Sequence, residues 1–370
     1  MMKAVVPFYP HYTSTPRGDY LGLPAKITGG EVVPVAGVRS FTVIKKIWGQ
    51  DVHGHGRGLP FPEMSCLFAR KSVYTFHNNF IGQKWYAVIV RRFLFNRYDR
   101  IVVQSDWARQ NYIRQGIKPE KLAVIPLPID YEYFSKKHPE TNGAGFRKKF
   151  GISPGEPFAF TIGTSYHKNP EIIIGACQIA KIKLIIAGYK DKLTAKGVYG
   201  GFKIGQAVLD SLVSGRNIIF TGHLDAAGLA SAFDASTIYI NSSDEDGEAM
   251  GSAVYESASA GVPLCVPDYG TFEPFRGCAL FHPNHNSEAL AENIRKYLSD
   301  PQLRKTNSEK AKQIASNFDY SIVRKQYERL YEELGISVET EKSHCDRNRL
   351  MSSAVIGIAS AAPRNDIIIK

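Results

Sequence analysis

Two glutamates eight positions apart, Glu248 and Glu256, bracket the part of this sequence best equipped for chemistry. The passage reads Asn241-Ser-Ser-Asp-Glu-Asp-Gly-Glu248-Ala249-Met250-Gly251-Ser252-Ala-Val-Tyr-Glu256 and leaves through Ala260-Gly261-Val262-Pro263. It predicts a strand ending at Ile240, a polar loop, a tight turn at Gly251, and a helix from Ser252 that stops at Gly261. Glu248 then lies ahead of the helix and Glu256 one turn inside it. The helix start between them offers free N–H groups and a partial positive charge, which suits a pyrophosphate. With Glu256 about 6 Å beyond the turn, one carboxylate can accept from a ribose diol while the other holds a sugar across the phosphates. The spacing fits a nucleotide-sugar.

Other residues could complete such a site. Lys168 follows a predicted strand over 157–162 and precedes Asn169-Pro170-Glu171, read as an N-cap followed by proline at the first helical position. Its ammonium would neutralise phosphate oxygens. His77 closes a predicted strand over 72–76, at the end where doubly wound sheets bind ligands. His53-Gly54-His55-Gly56-Arg57-Gly58 admits a metal pair, a dinucleotide loop or an acceptor-side loop. No third metal ligand is evident, the glycines are not GxGxxG, and Leu59-Pro60-Phe61-Pro62 opens no helix, so the acceptor-side loop leads.

The elements that must position these groups alternate. Short β-branched or aromatic runs (3–6, 42–47, 72–76, 100–103, 122–125) are separated by amphipathic stretches in the first half, and the habit repeats over 157–162, 183–187, 217–221, 237–240 and 263–266. This is the pattern of βαβ units, and it predicts an α/β chain of two Rossmann-like lobes. Helices are expected over 171–180, 225–233, 252–260, 287–298, 301–316 and 320–334. The run from His138 to Gly145 and Ser153-Pro154-Gly155 reads as the boundary, giving a first lobe over 1–145, a second over 146–335 and a flexible tail over 336–370 that contains the small-residue run Met351–Ala362. A helix over 83–97 is expected to carry an apolar stripe (Tyr86, Ile89, Val90, Phe93, Leu94), with Lys84, Trp85, Val88, Arg91, Arg92 and Phe95 opposite, a mixture suited to lipid headgroups or to burial between lobes.

Composition narrows the classes. The 370 residues, 44% hydrophobic and 22% charged, exclude a disordered chain and exceed what one ordinary core spans. Five cysteines without a CxxC pair suggest neither a disulfide framework nor a thiolate zinc site, and the start at Met1-Met2-Lys3 resembles no signal peptide. The expected location is cytoplasmic, with peripheral attachment to the cytoplasmic membrane face as an option. The net charge of +11 divides into +13 over 1–150 and −2 over 151–370. A basic first lobe anticipates an anionic partner such as a membrane surface.

Glu248-x7-Glu256 with its Ala-Gly-Val-Pro exit resembles the "EGFGLPxxEAMAxGxPV" signature of the retaining glycosyltransferases of family 4, which have the GT-B fold. Tyr74-Thr75-Phe76-His77 is similar to that family's "TxH" strand end, Arg100-Ile-Val-Val-Gln-Ser105 with Gly116 to Pro126 to its "vivVS…G…kv.vIpNGvD" passage, and Phe220-Thr221-Gly222-His223-Leu224 to its "FtGxv" turn. The resemblance covers about 70–335. It implies two lobes with parallel sheets facing across a cleft, and a retaining transfer of a hexose-type sugar from a UDP- or GDP-linked donor to a glycan or lipid-linked acceptor hydroxyl, with no cofactor, no metal and no nucleic acid. His77, Glu248 and Lys168 are the implied catalytic residues. Gly163, Thr164, Lys168, Thr221, Gly222, His223, Glu248, Ala249, Met250, Gly251, Ser252 and Glu256 are the implied donor-binding set. Two positions depart from the family: Leu127-Pro128 replaces Asn-Gly, and Thr164 replaces an arginine, leaving Lys168 as the phosphate cation. A GT-B epimerase or phosphorylase, and a non-catalytic sugar-nucleotide-binding protein, are the rival readings.

Overall fold

The computed structural model describes residues 2–6, 21–35, 40–56, 62–77, 85–190, 194–197, 200–203, 217–245 and 248–339. The Met351–Ala362 run, Leu59 to Phe61 and Lys84 lie outside them.

The first lobe runs β1 (Met2–Val6), α1 (Leu23–Thr28), β2 (Glu31–Pro34), α2 (Ser40–Ile47), β3 (Asp51–His55), β4 (Lys71–Thr75), α3 (Trp85–Phe95), β5 (Arg100–Val103), α4 (Asp106–Arg114) and β6 (Leu122–Val124). Its six strands are all parallel in the order β2-β1-β3-β4-β5-β6. The second lobe begins with α5 (Tyr131–Ser135), α6 (Gly143–Lys149), β7 (Phe158–Ile162), α7 (Pro170–Ala180), β8 (Lys183–Ala187) and an antiparallel hairpin of β9 (Thr194–Gly197) and β10 (Gly200–Lys203). It continues with β11 (Ile218–Phe220), α8 (Ala226–Ala235), β12 (Ile238–Ile240), α9 (Ser252–Ser259), β13 (Leu264–Pro267), β14 (Leu280–His282), α10 (Ser287–Ser299) and α11 (Pro301–Ala315). Its parallel sheet has the order β11-β8-β7-β12-β13-β14. Helices cover both faces, so Phe158, Ala159 and Phe160 on the central strand β7 are all fully buried. A continuous apolar run is what a doubly covered parallel strand requires. The α/β chain of two Rossmann-like lobes read from the sequence is the fold found.

The chain crosses between lobes twice. The first crossing follows β6, and the second precedes α12 (Tyr320–Glu333). The two are stitched together, since Ile129 N donates to Phe318 O at 2.9 Å and Tyr320 N to Ile129 O at 2.9 Å. After the second crossing, Val323, Tyr327, Leu330 and Tyr331 of α12 pack on Met2, Leu23, Ile27, Val73 and Val102 of the first lobe. The last helix therefore helps to build the lobe that the chain began.

Four sequence expectations are corrected. Residues 42–47, expected as a strand, lie in α2: Val43 and Ile47, one helical turn apart, are buried, while Phe41, Lys45 and Lys46 are exposed. His53 and His55 belong to strand β3 and not to a loop. The glycine-rich boundary contains the start of α6, where the Asn142 side chain accepts from Gly145 N at 2.7 Å and Gly143 N donates to Asp234 of α8. Finally, α3 turns its expected apolar stripe outward at every position but Leu94, and Trp85, expected on the opposite side, is exposed with it. Trp85 (74%), Tyr86, Ile89, Val90 and Phe93 (60%) are exposed, whereas Leu94, Phe95 and Arg91 are buried. Arg91 faces inward because it forms a paired bond to the fully buried Glu63, Nε to Oε2 at 3.0 Å and Nη2 to Oε1 at 3.1 Å.

Candidate active site

The candidate donor residues of the second lobe gather where the parallel strands β7, β8, β11 and β12 end. After β7, Gly163 takes φ 104°, and a Cβ there would come within 3.1 Å of Lys168 Cγ. Only glycine lets the Lys168 stem fold over the strand end this way. Lys168 closes a short 3-10 turn over Tyr166–Lys168, and its ammonium pairs with the Glu248 carboxylate. Both side chains are partly open, at 29% and 15% exposure.

Asn169 makes that pairing possible by a route the sequence did not suggest. It does not cap α7 with its side chain, although Pro170 holds the first helical position as expected. Its backbone is left-handed (φ 45°), a conformation asparagine tolerates better than most residues. The buried Nδ2 donates to Ser242 O at 2.8 Å and to Asp244 Oδ1 at 2.9 Å. Asp244 N in turn donates to His167 O at 2.9 Å, and His285 Nε2 meets Asp244 Oδ1 at 3.0 Å. The Lys168 turn and the loop after β12 are thus locked together, and so are the two charges they carry.

On the other side of the pair, Gly251 precedes α9 with φ 73°; a Cβ there would strike Phe272 at 2.8 Å. Thr271 Oγ1 donates to Glu248 O at 3.2 Å and fixes the backbone of the loop. Glu256, 9% exposed, stands one turn into α9. The phenol of Tyr239 on β12 lies in the field of both carboxylates. Burial pushes its acidity well down, and the negative fields of Glu248 and Glu256 push it further, so its hydroxyl stays protonated.

The remaining predicted residues divide. The methyl of Thr164 packs on Gly188, where a Cβ would lie 2.6 Å away, so threonine fills a space beside the strand end. Gly222 bridges antiparallel to Gly188, its N–H donating to Gly188 O at 3.0 Å, and Thr221 Oγ1 donates to Gly222 O. His223 is exposed and Ser252 begins α9. Ala249 and Met250 are buried, and the Met250 thioether accepts from Leu127 N at 3.0 Å, tying the first interlobe crossing to the loop of Glu248. That contact gives the departing Leu127-Pro128 pair a structural place. Sequence reading missed Tyr189, half exposed, whose ring lies 3.2 Å from where a Gly222 Cβ would be, and missed Tyr239. An aromatic residue just past the end of β8 was the available signal for the first.

His77 stands at the carboxyl end of β4, in the first lobe, as the last rung of a histidine ladder. His53 and His55 stack with ring centroids 4.3 Å apart and planes 2° from parallel, and His55 Nδ1 lies 3.4 Å from His77 Nε2. The His53 ring is held at both nitrogens, by Tyr331 Oη at 2.6 Å and Thr75 Oγ1 at 2.8 Å. Burial lowers His53 to about 3 and His77 to about 4, and pushes His55 well below 6.5, with the neighbouring rings adding to the effect for His53 and His55. All three are neutral hydrogen-bonding groups at pH 7. Among the described residues, no cluster of three or more His, Cys, Asp or Glu is arranged to hold a metal ion.

Known proteins place this geometry. Residues 144–314 match the family model of glycosyl transferases group 1, and residues 45–133 match that of glycosyltransferase family 4. A phosphatidyl-myo-inositol mannosyltransferase from Mycobacterium leprae is 26% identical over 159 residues, 42% of this chain; the match spans only 39% of that relative's length. Anabaena HepE, solved with UDP and glucose, superposes with a TM-score of 0.71 at 16% identity, covering 90% of this chain and 100% of that one. The sucrose-phosphate synthase of Thermosynechococcus elongatus gives 0.61 at 18% identity over 76% of this chain and 73% of its own. The two matched segments fall one in each lobe, and the paired sheets are those of the GT-B structures, so the chain belongs to the family 4 glycosyltransferases of GT-B fold.

Proposed function

We propose that the chain transfers a hexose-type sugar from a nucleotide-sugar, UDP- or GDP-linked, to an acceptor hydroxyl in glycan or glycolipid synthesis, with retention at the anomeric carbon. The observation that carries this reading is the Lys168–Glu248 pair at the strand ends, beside the start of α9 and Glu256. A diphosphate arriving at the helix start competes for the ammonium and takes it from Glu248. Glu248 is then released toward the sugar hydroxyls, and Glu256 accepts from the ribose diol. Breaking the bond between the anomeric carbon and the phosphate oxygen places charge on the diphosphate, which Lys168 and the α9 amides stabilise. The acceptor oxygen bonds to that carbon on the same face, and its proton goes to the departing phosphate oxygen. Neutral His77 serves this step as a hydrogen-bonding group at the sugar. HepE bound to UDP and glucose favours a UDP-sugar, and the mannosyltransferase relative favours a lipid-linked acceptor.

The same reading places the protein in the cytoplasm at an anionic membrane face, with a surface different from the one the sequence suggested. Val52, packed under α2, and Tyr74, packed under α3, lie on one face of the first sheet, since the register sets Gly54 beside Tyr74. The two helices therefore share a layer, and it exposes Phe41 and Trp48 as well as Trp85 and Phe93, with Lys45, Arg92 and Arg97 nearby in the chain. Aromatic residues among cations suit a headgroup region.

The test is donor turnover measured with UDP-, GDP- and ADP-sugars, each with and without candidate acceptors. Nucleoside diphosphate release that depends on a lipid-linked or glycan acceptor, and persists in EDTA, is expected. Release of free sugar or sugar phosphate without acceptor, or loss of turnover on chelation with recovery in magnesium, overturns the reading.

A further inference from the structure

The loop between β14 and α10 stands apart from the two loops that carry Lys168 and Glu248, yet one of its side chains reaches the network that joins them. His285 Nε2 meets Asp244 Oδ1 at 3.0 Å, on the same oxygen that accepts from Asn169 Nδ2 at 2.9 Å. An ionised carboxylate only accepts, so the histidine donates through Nε2. His285 is half exposed, but Asp244 is 3% exposed and Asn169 is fully buried, which sets this contact apart from an exposed surface bridge of little worth.

The backbone takes a costly conformation where it makes this contact. Among the described residues other than glycine, three have a left-handed φ, and two of them, Asn169 (45°) and His285 (58°), touch the Asp244 carboxylate. Such a conformation costs a residue with a Cβ and persists where the surroundings impose it, most often at functional sites. The surroundings of His285 are firm. His282 Nε2 lies 3.1 Å from Asn241 O, the Asn286 side chain accepts from Ala289 N at 2.8 Å to cap α10, and Ser287 Oγ donates to Ile172 O of α7 at 3.1 Å. The Glu248 loop, by contrast, is crowded with charge. Burial, and then the fields of Glu248, Asp244 and Glu245, raise the Tyr269 phenol well above its usual value, so one buried phenol lies in the field of three carboxylates from the same loop. Like charges so placed push the loop apart unless partners restrain them.

We infer that His285 is a positioning residue for the transfer: through Asp244 it holds the Glu248 loop in place during the step in which the arriving diphosphate draws Lys168 away from Glu248. The inference rests on the donor reading proposed above, in which that exchange occurs. In the free protein the Lys168–Glu248 pair and the Asn169–Asp244–His285 bridge both restrain the charges of the loop. Once the diphosphate takes the ammonium, the bridge is left to restrain them while Glu248 stays aimed at the sugar. Loss of His285 is therefore felt with the donor bound more than in the free chain, and on the sugar half of the donor more than on the nucleotide half.

Two replacements separate the bond from the fold. Asparagine tolerates the left-handed backbone but is too short to reach Asp244, whereas glutamine carries an amide nitrogen about as far from the backbone as the histidine Nε2. His285→Asn should lower turnover of the nucleotide-sugar by about 10- to 100-fold, the scale of a misplaced catalytic group, and raise its KM. Nucleoside diphosphate affinity by calorimetry and the thermal midpoint should stay near the parent's, and His285→Gln should recover most of the lost turnover. Hydrogen exchange of the peptide bearing Glu248 gives a readout independent of turnover. With UDP, GDP or ADP bound, whichever the parent holds tightest, that peptide should exchange faster in His285→Asn than in the parent, with little difference when no nucleotide is present. A His285→Asn variant that turns over and exchanges like the parent overturns the assignment. So does one whose diphosphate affinity and thermal midpoint fall along with turnover, or whose loop exchanges equally faster with and without nucleotide, since the role is then structural. A parent that turns over no nucleotide-sugar overturns the donor reading itself, and this inference with it.

Discussion

The two lobes build their polar centres in opposite ways. In the second lobe, Lys168, Glu248 and Glu256 stand in loops and a helix start that follow strand ends, and backbone features close by in the sequence aim them: Gly163, Asn169 and Gly251. In the first lobe, His53 and His55 stand on the face of β3, His77 lies just past β4, and Tyr331 arrives from 278 residues away. A centre made from loops leaves a signature in a short stretch of residues. A centre made from strand faces exists only once register and the returning helix are set. The difference also separates charge: the second-lobe centre is ionic and partly open, while the first-lobe centre is buried and neutral.

The largest expected effect breaks the ionic centre. Glu248→Gln keeps the size of the side chain and removes its charge, so it should lower the catalytic rate by roughly 10- to 1,000-fold, the scale of losing one oriented polar contact in a transition state. Affinity for the free nucleoside diphosphate should hold or rise, because Lys168 loses a competing carboxylate. Calorimetry with the diphosphate and with the intact nucleotide-sugar checks this; a large loss confined to the diphosphate would reverse the roles given to Glu248 and Glu256.

Next comes the buried charge of the first lobe. Arg91 was expected at a membrane surface, but it is the partner of a fully buried Glu63. Arg91→Ala should cost about 3–5 kcal/mol of stability by removing the guanidinium bonded to that buried carboxylate, whereas Trp85→Ser/Phe93→Ser should leave the thermal midpoint nearly unchanged and reduce flotation with anionic vesicles. If Arg91→Ala melts like the parent and loses vesicle binding, the helix has been assigned the wrong outward face.

How much of this was legible follows from the same contrast. The strands 100–103 and 183–187 fall where the sequence put them, and helices 252–259 and 301–315 begin where it put them and end one residue short, because apolar runs bounded by turns and caps are local signals. The exposed stripe of α3 was not legible. Periodicity identifies an apolar face, but Arg91 and Phe95 won the inward position through Glu63 and the Phe76–Tyr112 cluster, contacts that no window of sequence contains. In the donor cluster the glutamates and Lys168 could be named from the sequence. Their pairing could not, since it depends on Asn169 reaching 73 and 75 residues along the chain.

A smaller effect is expected at Glu256. A carboxylate bonding a ribose diol contributes roughly 1.5–3 kcal/mol, so Glu256→Ala should weaken nucleoside diphosphate about tenfold or more. Glu248→Gln supplies the contrast, since its diphosphate affinity is expected not to fall. Equal diphosphate affinities for Glu256→Ala and the parent would remove Glu256 from the nucleotide half of the site.

The smallest effect tests the neutral centre. Burial holds His53 near 3 and His77 near 4 and keeps His55 well below 6.5, so the folded chain resists protonation that the unfolded chain accepts from about 6.5 downward. Each ring thus contributes stability that is complete above about 6.5 and is lost as the pH falls toward its own folded value, by at most about 1.4 kcal/mol per pH unit for each proton. The urea midpoint should therefore fall between pH 7 and pH 5. His55→Phe, which keeps an aromatic ring in the stack, should make that fall shallower, while His223→Ala, at an exposed position of the second lobe, should leave it unchanged. If His55→Phe and the parent decline in parallel, the ladder does not titrate as a buried unit, and the acid sensitivity must be sought at another buried ring, His282 of the second lobe, which burial also lowers.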